Sequence, residues 1–245
     1  MSVKLTVVGC SPAWPNPGGA QSGYLLEDGS GRLLLDCGPG VLARLRATEA
    51  DHWPRIDAIV VTHWHLDHWG DLVPWVWGGM VGPGKERGKT ELVLPPEGRE
   101  RLREFGAGLG WEDMWESVFE LRDYEEDVPF HAGGFTLVAK QLPHYTLRTY
   151  GLRVTNGSAS LAYSGDSGPS ERLAELARGV DLFVCEATLL RGELDGPLRG
   201  HLSVDEAVES FQASGAKRLL LTHRPHELPP PDGYQLAYDG LEVEV

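Results

Sequence analysis

The sequence is short of cysteine, of basic residues and of long apolar runs, and each shortage removes a class of protein. Its three cysteines, Cys10, Cys37 and Cys185, are too few and too far apart for a disulfide framework, and their number is odd. That usage fits a reducing compartment, so a cytoplasmic location is expected. Cys10 and Cys37 read as small buried packing residues. No segment approaches the roughly 18 uninterrupted apolar residues that a membrane span needs. The apolar run within Met1 to Cys10 is too short for a secretory signal and alternates like a first strand. Lysine and arginine number 22 against 36 aspartates and glutamates, a formal net charge of −14. A long nucleic acid is therefore an unfavourable partner, because its binding rests on basic side chains displacing counterions. The basic clusters, Lys85 to Lys89 and the set Arg99, Arg101 and Arg103, are small and read as solvated surface. No short-period repeat is visible, and the Pro/Gly-rich stretches are too short for linkers. Residues 1–245, 41% hydrophobic, read as a single α/β domain with a substantial core.

What the chain does contain is histidine and aspartate at the ends of apolar runs. Residues 63–68 read His-Trp-His-Leu-Asp-His, directly after Ile56-Asp57-Ala58-Ile59-Val60-Val61-Thr62. Four metal-binding side chains in six residues far exceed a histidine-rich surface turn, and His nitrogen with Asp oxygen suits borderline divalent ions. Three further runs end the same way: Leu33-Leu34-Leu35 on Asp36, Leu161-Ala162-Tyr163-Ser164-Gly165 on Asp166, and Leu219-Leu220-Leu221-Thr222 on His223. One aspartate after a strand is ordinarily a turn former. Four strand ends together with His144 could furnish one shared site.

Strands are predicted at 3–8, 21–26, 32–36, 57–62, 91–94, 135–140, 149–155, 159–164, 181–185, 217–221 and 241–245, and helices at 39–47, 69–77, 97–105, 169–178 and 203–214. The last helix is the clearest: Ser203 can cap it with Glu206 three residues on, and Val204, Ala207, Val208 and Phe211 follow at helical spacing. Between His144 and Asp166, Leu147 to Thr155 and Ser158 to Ser164 read as a hairpin joined at Asn156-Gly157.

Asp36, the H-x-H-x-D-H cluster, His144, Asp166 and His223, in that order, resemble the metallo-β-lactamase superfamily. The resemblance implies the four-layer αββα sandwich of the metallo-β-lactamase fold, where periodicity alone gives only α/β or α+β. It implies two divalent metal ions, one on His63, His65 and His144 and a second on Asp67, His68 and His223, with Asp166 bridging. Asp36 would stand behind a ligand imidazole and fix its tautomer. Zinc is the expected metal, with manganese and iron as alternatives. His52, His131 and His226 are left as surface or loop histidines.

Cys185-Glu186-Ala187-Thr188 and Gly200-His201-Leu202-Ser203 are similar to the glutamate and histidine motifs of the ribonuclease Z-like phosphodiesterase branch. That likeness implies a hydrolase in which His201, oriented by Glu186, gives a proton to the departing oxygen of a phosphodiester. His201, Glu186 and Asp67 form the expected catalytic set. Many ribonuclease Z members carry a tRNA-gripping arm between the third and fourth motifs, and the predicted hairpin leaves no room for one. The opening Val7-Val8-Gly9-Cys10-Ser11, with Ala20 to Leu25 and Leu176 to Asp181, resembles a compact bacterial group that includes cyclic-nucleotide phosphodiesterases. A small phosphodiester, cyclic AMP opened to 5′-AMP, is the expected substrate. The alternatives are a tRNA 3′-processing endonuclease, a lactone or thioester hydrolase and a non-hydrolytic di-metal protein. This chain departs from the group's commoner opening in the Pro-rich segment 12–19. Trp64, Trp69, Trp75 and Trp77 crowd the metal motif, as a wall for a nucleobase or as packing and dimer contact, with the second reading favoured. A homodimer is expected.

Overall fold

In the computed structural model, which describes residues 2–49 and 53–245, the apolar runs become strands of two stacked sheets. The first sheet takes β1 (Lys4–Gly9), β2 (Gly23–Glu27), β3 (Arg32–Leu35), β4 (Ala58–Val60), β5 (Thr90–Leu94) and β6 (Phe119–Asp123). The second takes β7 (Phe130–Ala132), β8 (Phe135–His144), β9 (Leu147–Thr155), β10 (Ser160–Tyr163), β11 (Leu182–Glu186), β12 (Leu219–Thr222) and β13 (Gln235–Leu236), and β14 (Glu242–Glu244) returns to pair with β1. The spatial orders are β14-β1-β2-β3-β4-β5-β6 and β13-β12-β11-β10-β9-β8-β7. Helices α1 (Val41–Thr48), α2 (Leu66–Trp69), α3 (Leu72–Val81) and α4 (Gly98–Gly108) accompany the first sheet, and α5 (Glu171–Leu176) and α6 (Val204–Ser214) the second.

Period-two alternation explains why the central strands read as unbroken apolar runs. Leu33, Leu35, Ala58 and Val60 point into a core shared with Leu137, Leu152, Leu161 and Val184 of the opposite sheet. Their neighbours Leu34, Ile59 and Val61 point outward onto Val41 and Leu45 of α1 and Trp75 of α3. In the second sheet Phe183 and Cys185 pack against Leu173 and Leu176 of α5 and Ala207 of α6. Strands covered on both faces need apolar residues at every position, and the result is the αββα sandwich expected from the motifs.

Three strands escape the sequence pattern. β6, β7 and β13 lie at sheet edges, where β6 reads Phe-Glu-Leu-Arg-Asp and β7 and β13 are very short. The helix predicted at 69–77 is a second difference. It is two helices, α2 and α3, separated at Gly70-Asp71. Pro74 falls in the first turn of α3, where its missing N–H has no partner to lose. The β9–β10 hairpin is present, with Thr155 opposite Ser160 and the Asn156 side chain accepting from the N–H groups of Ser158 and Ala159. No helix among the described residues is long and apolar enough to cross a membrane.

Candidate active site

The parallel strands β3 and β4 of one sheet, and β10, β11 and β12 of the other, all deliver their C-terminal ends to the same edge of the sandwich. β8 runs antiparallel to β9, which runs antiparallel to β10, so β8 also ends there. Asp36 follows β3, His63 and His65 follow β4, and Asp67 and His68 lie on α2. His144 ends β8, Asp166 follows β10, Glu186 ends β11 and His223 follows β12.

The side chains converge as two groups that share one carboxylate. His63, His65, His144 and Asp166 form one and Asp67, His68, Asp166 and His223 the other, with donor atoms in each within 4.8 Å of one another. Asp166 stands between them: its Oδ2 is 3.7 Å from His63 Nε2 and 3.9 Å from His144 Nε2, and its Oδ1 is 3.3 Å from His68 Nε2 and 3.5 Å from His223 Nε2. Asp67 Oδ2 lies 3.2 Å from His223 Nε2 and 3.4 Å from His68 Nε2. All are buried except His65, at the open side.

Three atoms test whether this cluster suits metal ions. His63 Nε2, His68 Nε2 and Asp166 Oδ1 are buried without a hydrogen-bond partner, although an unpaired buried polar group is costly. A cation within each group would satisfy all three, and imidazole with carboxylate is a donor set for borderline divalent ions. The charges agree. Burial and the neighbouring His68 hold His63 well below the ordinary imidazole range. Burial works against charge on His68 too, but Asp166, Asp67 and Asp36 outweigh it and hold its pKa well above the ordinary value. Burial opposes ionisation of Asp166, yet His223 and His68 keep it well below the usual carboxylate range.

Outer partners fix the imidazoles. Asp36 Oδ2 accepts from His68 Nδ1 at 2.7 Å and from the hydroxyls of Thr62 and Tyr163 at 2.9 Å, while Oδ1 accepts from the Thr62 N–H at 2.8 Å. His63 Nδ1 meets the Thr62 hydroxyl at 3.0 Å, and His223 Nδ1 meets that of Thr188 at 2.9 Å. His144 Nδ1 donates to the Gly200 carbonyl at 2.6 Å. Each bond leaves Nε2 facing the centre.

Glu186 and His201 come together beside this centre. Glu186 is fully buried, and its Oε1 lies 2.9 Å from His201 Nδ1. The N–H groups of Ser167, Thr188 and Leu202 also donate to its carboxylate. The His201 ring is 4.9 Å from that of His144 and 5.7 Å from that of His223. Burial lowers its basicity, but the charges of Glu186, Asp166 and Asp195 prevail and its pKa is raised to about 9.

Other expected residues fall away from the centre. His131 and His226 are exposed, and His52 lies outside the described residues. Trp69 and Trp75 are buried in the core beneath α1 and α3, so they form no wall for a base, whereas Trp77 is 50% exposed. Cys10, Cys37 and Cys185 are buried and unpaired. Sequence reasoning missed Thr62, Tyr163, Thr188 and Asp195, whose residue types carry no signal until the loops are placed.

An αββα sandwich with a carboxylate-bridged histidine centre at its strand ends defines a metal-dependent hydrolase of the metallo-β-lactamase fold. Residues 31–224 match the beta-lactamase superfamily domain, and the chain belongs to that superfamily. It is 38% identical to an uncharacterized protein of Mycobacterium tuberculosis (strain H37Rv) over 92% of this chain and 82% of that one. "Probable metallo-hydrolase YhfI" of Bacillus subtilis (strain 168) is 33% identical over 91% of this chain and 88% of that one. The crystal structure of YhfI superposes with a TM-score of 0.86, covering 100% of both chains at 27% identity. That of human short-form tRNase Z has the same fold, with a TM-score of 0.76 at 23% identity and 98% of both chains covered.

Proposed function

We propose that the protein is a dinuclear metal-dependent phosphodiesterase acting on a small phosphodiester, with a 3′,5′-cyclic nucleotide such as cyclic AMP as the leading candidate. The observation that carries the reading is the Glu186–His201 pair, 2.9 Å apart and set against the imidazoles of His144 and His223. A protonated imidazole oriented by a carboxylate suits the departure of a sugar oxygen, which needs a proton.

In this reading His63, His65 and His144 would hold one divalent ion and Asp67, His68 and His223 the other, with Asp166 shared and zinc as the expected metal. Bound there, the ions would supply positive charge against phosphoryl oxygens and an activated water at neutral pH. The chain's own work is positional. Asp36 holds His68 in one tautomer, Glu186 accepts a hydrogen bond from the Nδ1–H of His201, and His201 Nε2 is left to deliver its proton to the departing oxygen.

Two features favour a small substrate over tRNA. The tight β9–β10 hairpin fills the interval where an arm would be inserted, and the net charge of −14 repels a polyanion. A tRNA 3′-processing endonuclease is the second reading, favoured by 26% identity to the Ribonuclease Z of Mycobacterium bovis over 90% of this chain. A homodimer in the cytoplasm completes the proposal, with the exposed Trp77 and Val81 of α3 as its contact.

The test is incubation of metal-loaded protein with cyclic AMP and, separately, precursor tRNA, with products identified by chromatography. Conversion to 5′-AMP is expected, and His201→Ala should lower turnover by about 10²–10⁴-fold while metal content stays intact. Cleavage of the tRNA 3′ trailer with cyclic AMP untouched would replace this reading with the second. Loss of metal with unchanged per-metal activity in the variant would remove the role of His201.

A further inference from the structure

We propose that Asp195 is a positioning residue for His201, acting with the Tyr145 hydroxyl as a clasp between two loops of the site. The inference rests on the reading of His201 as the proton donor. Asp195 closes the short 3₁₀ turn Gly192–Asp195, and its side chain is only 6% exposed. Its Oδ2 accepts from the backbone N–H of Gly200 at 2.6 Å and of His201 at 3.0 Å. Its Oδ1 accepts from the Tyr145 hydroxyl at 2.7 Å.

These bonds complete the restraint of His201 on three sides. Glu186 holds the ring, Asp195 holds the N–H, and Arg199 donates to the carbonyl at 3.0 Å while gripping both oxygens of Glu206 at 2.9 Å. The segment 199–201 is in neither helix nor strand, so no ladder fixes its backbone and a carboxylate takes that place. The Gly200 carbonyl in turn accepts from His144 Nδ1. A shift of this segment would therefore move the His201 ring.

Tyr145 forms the other half of the clasp. It occupies the two-residue turn joining β8 to β9, with a φ of 49° that a bulky side chain rarely adopts. Its ring lies 4.9 Å from His144 and 5.6 Å from His201. A Cβ at position 200 would meet that ring at 2.3 to 2.5 Å, so only glycine fits between Tyr145 and the His201 segment. The Asp195–Tyr145 bond holds a strained residue against the peptide that carries the proton donor.

A proton donor matters in proportion to the basicity of the oxygen that departs. The experiment compares thymidine 5′-p-nitrophenyl phosphate, whose leaving group departs unaided, with its unsubstituted phenyl counterpart. In the metal-loaded protein, Asp195→Ala should lower kcat on the phenyl ester by about 10–100-fold and on the nitrophenyl ester by about threefold or less, with KM nearly constant. D195N, which keeps an acceptor, should recover most of the loss, and Tyr145→Phe should show the same selectivity at a few-fold. Added to His201→Ala, D195A should cause no further fall, because two residues acting through one group are not additive. In metal-free protein, the His201 ring signals in histidine side-chain NMR spectra should move toward those of a free imidazole in D195A and stay in place in D195N. Equal losses on both esters, multiplicative losses in the double variant, or unchanged ring signals in D195A would overturn this proposal alone. If D195A does not fold, Y145F and D195N carry the comparison. A His201→Ala variant indifferent to the leaving group would instead remove the proton-donor reading, and this proposal with it.

Discussion

Asp36 shows how much a single buried carboxylate can organise. It takes four hydrogen bonds, from His68, from the Thr62 amide and hydroxyl, and from Tyr163, and joins the end of β3 to the loop after β4 and to β10 in the other sheet. It does so with a φ of 59°, a conformation that aspartate and asparagine tolerate better than most residues. Asp36→Ala would strand several buried donors and place alanine in a left-handed conformation. A loss of about 3–5 kcal/mol in urea unfolding is expected, with metal affinity down about 10–100-fold. D36N should lose less, since it keeps one acceptor and tolerates the backbone. A D36A protein within about 1 kcal/mol of the parent would show that the network contributes little.

At the scale of elements, α3 separates two roles that its sequence blends. Trp75 is 2% exposed and packs edge-on to Trp53 at 5.7 Å, whereas Trp77 is half exposed beside Trp111. Trp75→Ala should cost about 3–5 kcal/mol in denaturant unfolding, as large core truncations do. Trp77→Ala should leave stability within about 1 kcal/mol and shift light-scattering mass from dimer to monomer. A monomeric parent would end the α3 contact. The same contrast sets what sequence could tell. The central strands and α6 were legible because burial on both faces, or a capping box with a periodic apolar stripe, leaves a local signature; the Ser203–Glu206 box is present in full. The edge strands β6, β7 and β13 left none, since their exposed positions accept charged residues and only pairing makes them strands. The metal motif was legible because residue type and spacing are themselves the chemistry, whereas the Glu186–His201 pair was reached only through the likeness of its two segments to known glutamate and histidine motifs. Asp195, Tyr145 and Thr188 were not, because a loop aspartate, tyrosine or threonine acquires meaning only when a distant segment folds onto it.

The whole molecule places its centre on the seam between two sheets. His63, His65, Asp67 and His68 come from the first sheet and α2, and His144, Asp166 and His223 from the second, so an ion held by both groups would tie the halves together. Asp36, Asp67, Asp166 and Glu186 lie buried among these imidazoles in a chain of net charge −14, and bound cations would offset that concentration of acid. An ion that binds only the folded chain adds its binding free energy to stability, about 4 kcal/mol at a free concentration 1,000-fold above Kd. For a chain of this length each kcal/mol moves Tm by roughly 2–4 °C. Chelation should therefore lower the calorimetric Tm by on the order of 10 °C, more if both ions leave, and stoichiometric return of the metal should restore it. His223→Ala, which removes a ligand of the second group only, should shrink that shift and halve the bound metal in elemental analysis. A metal-free protein, verified by that analysis, with an unchanged Tm would mean that the sandwich holds the cluster together unaided and that the ions serve chemistry alone.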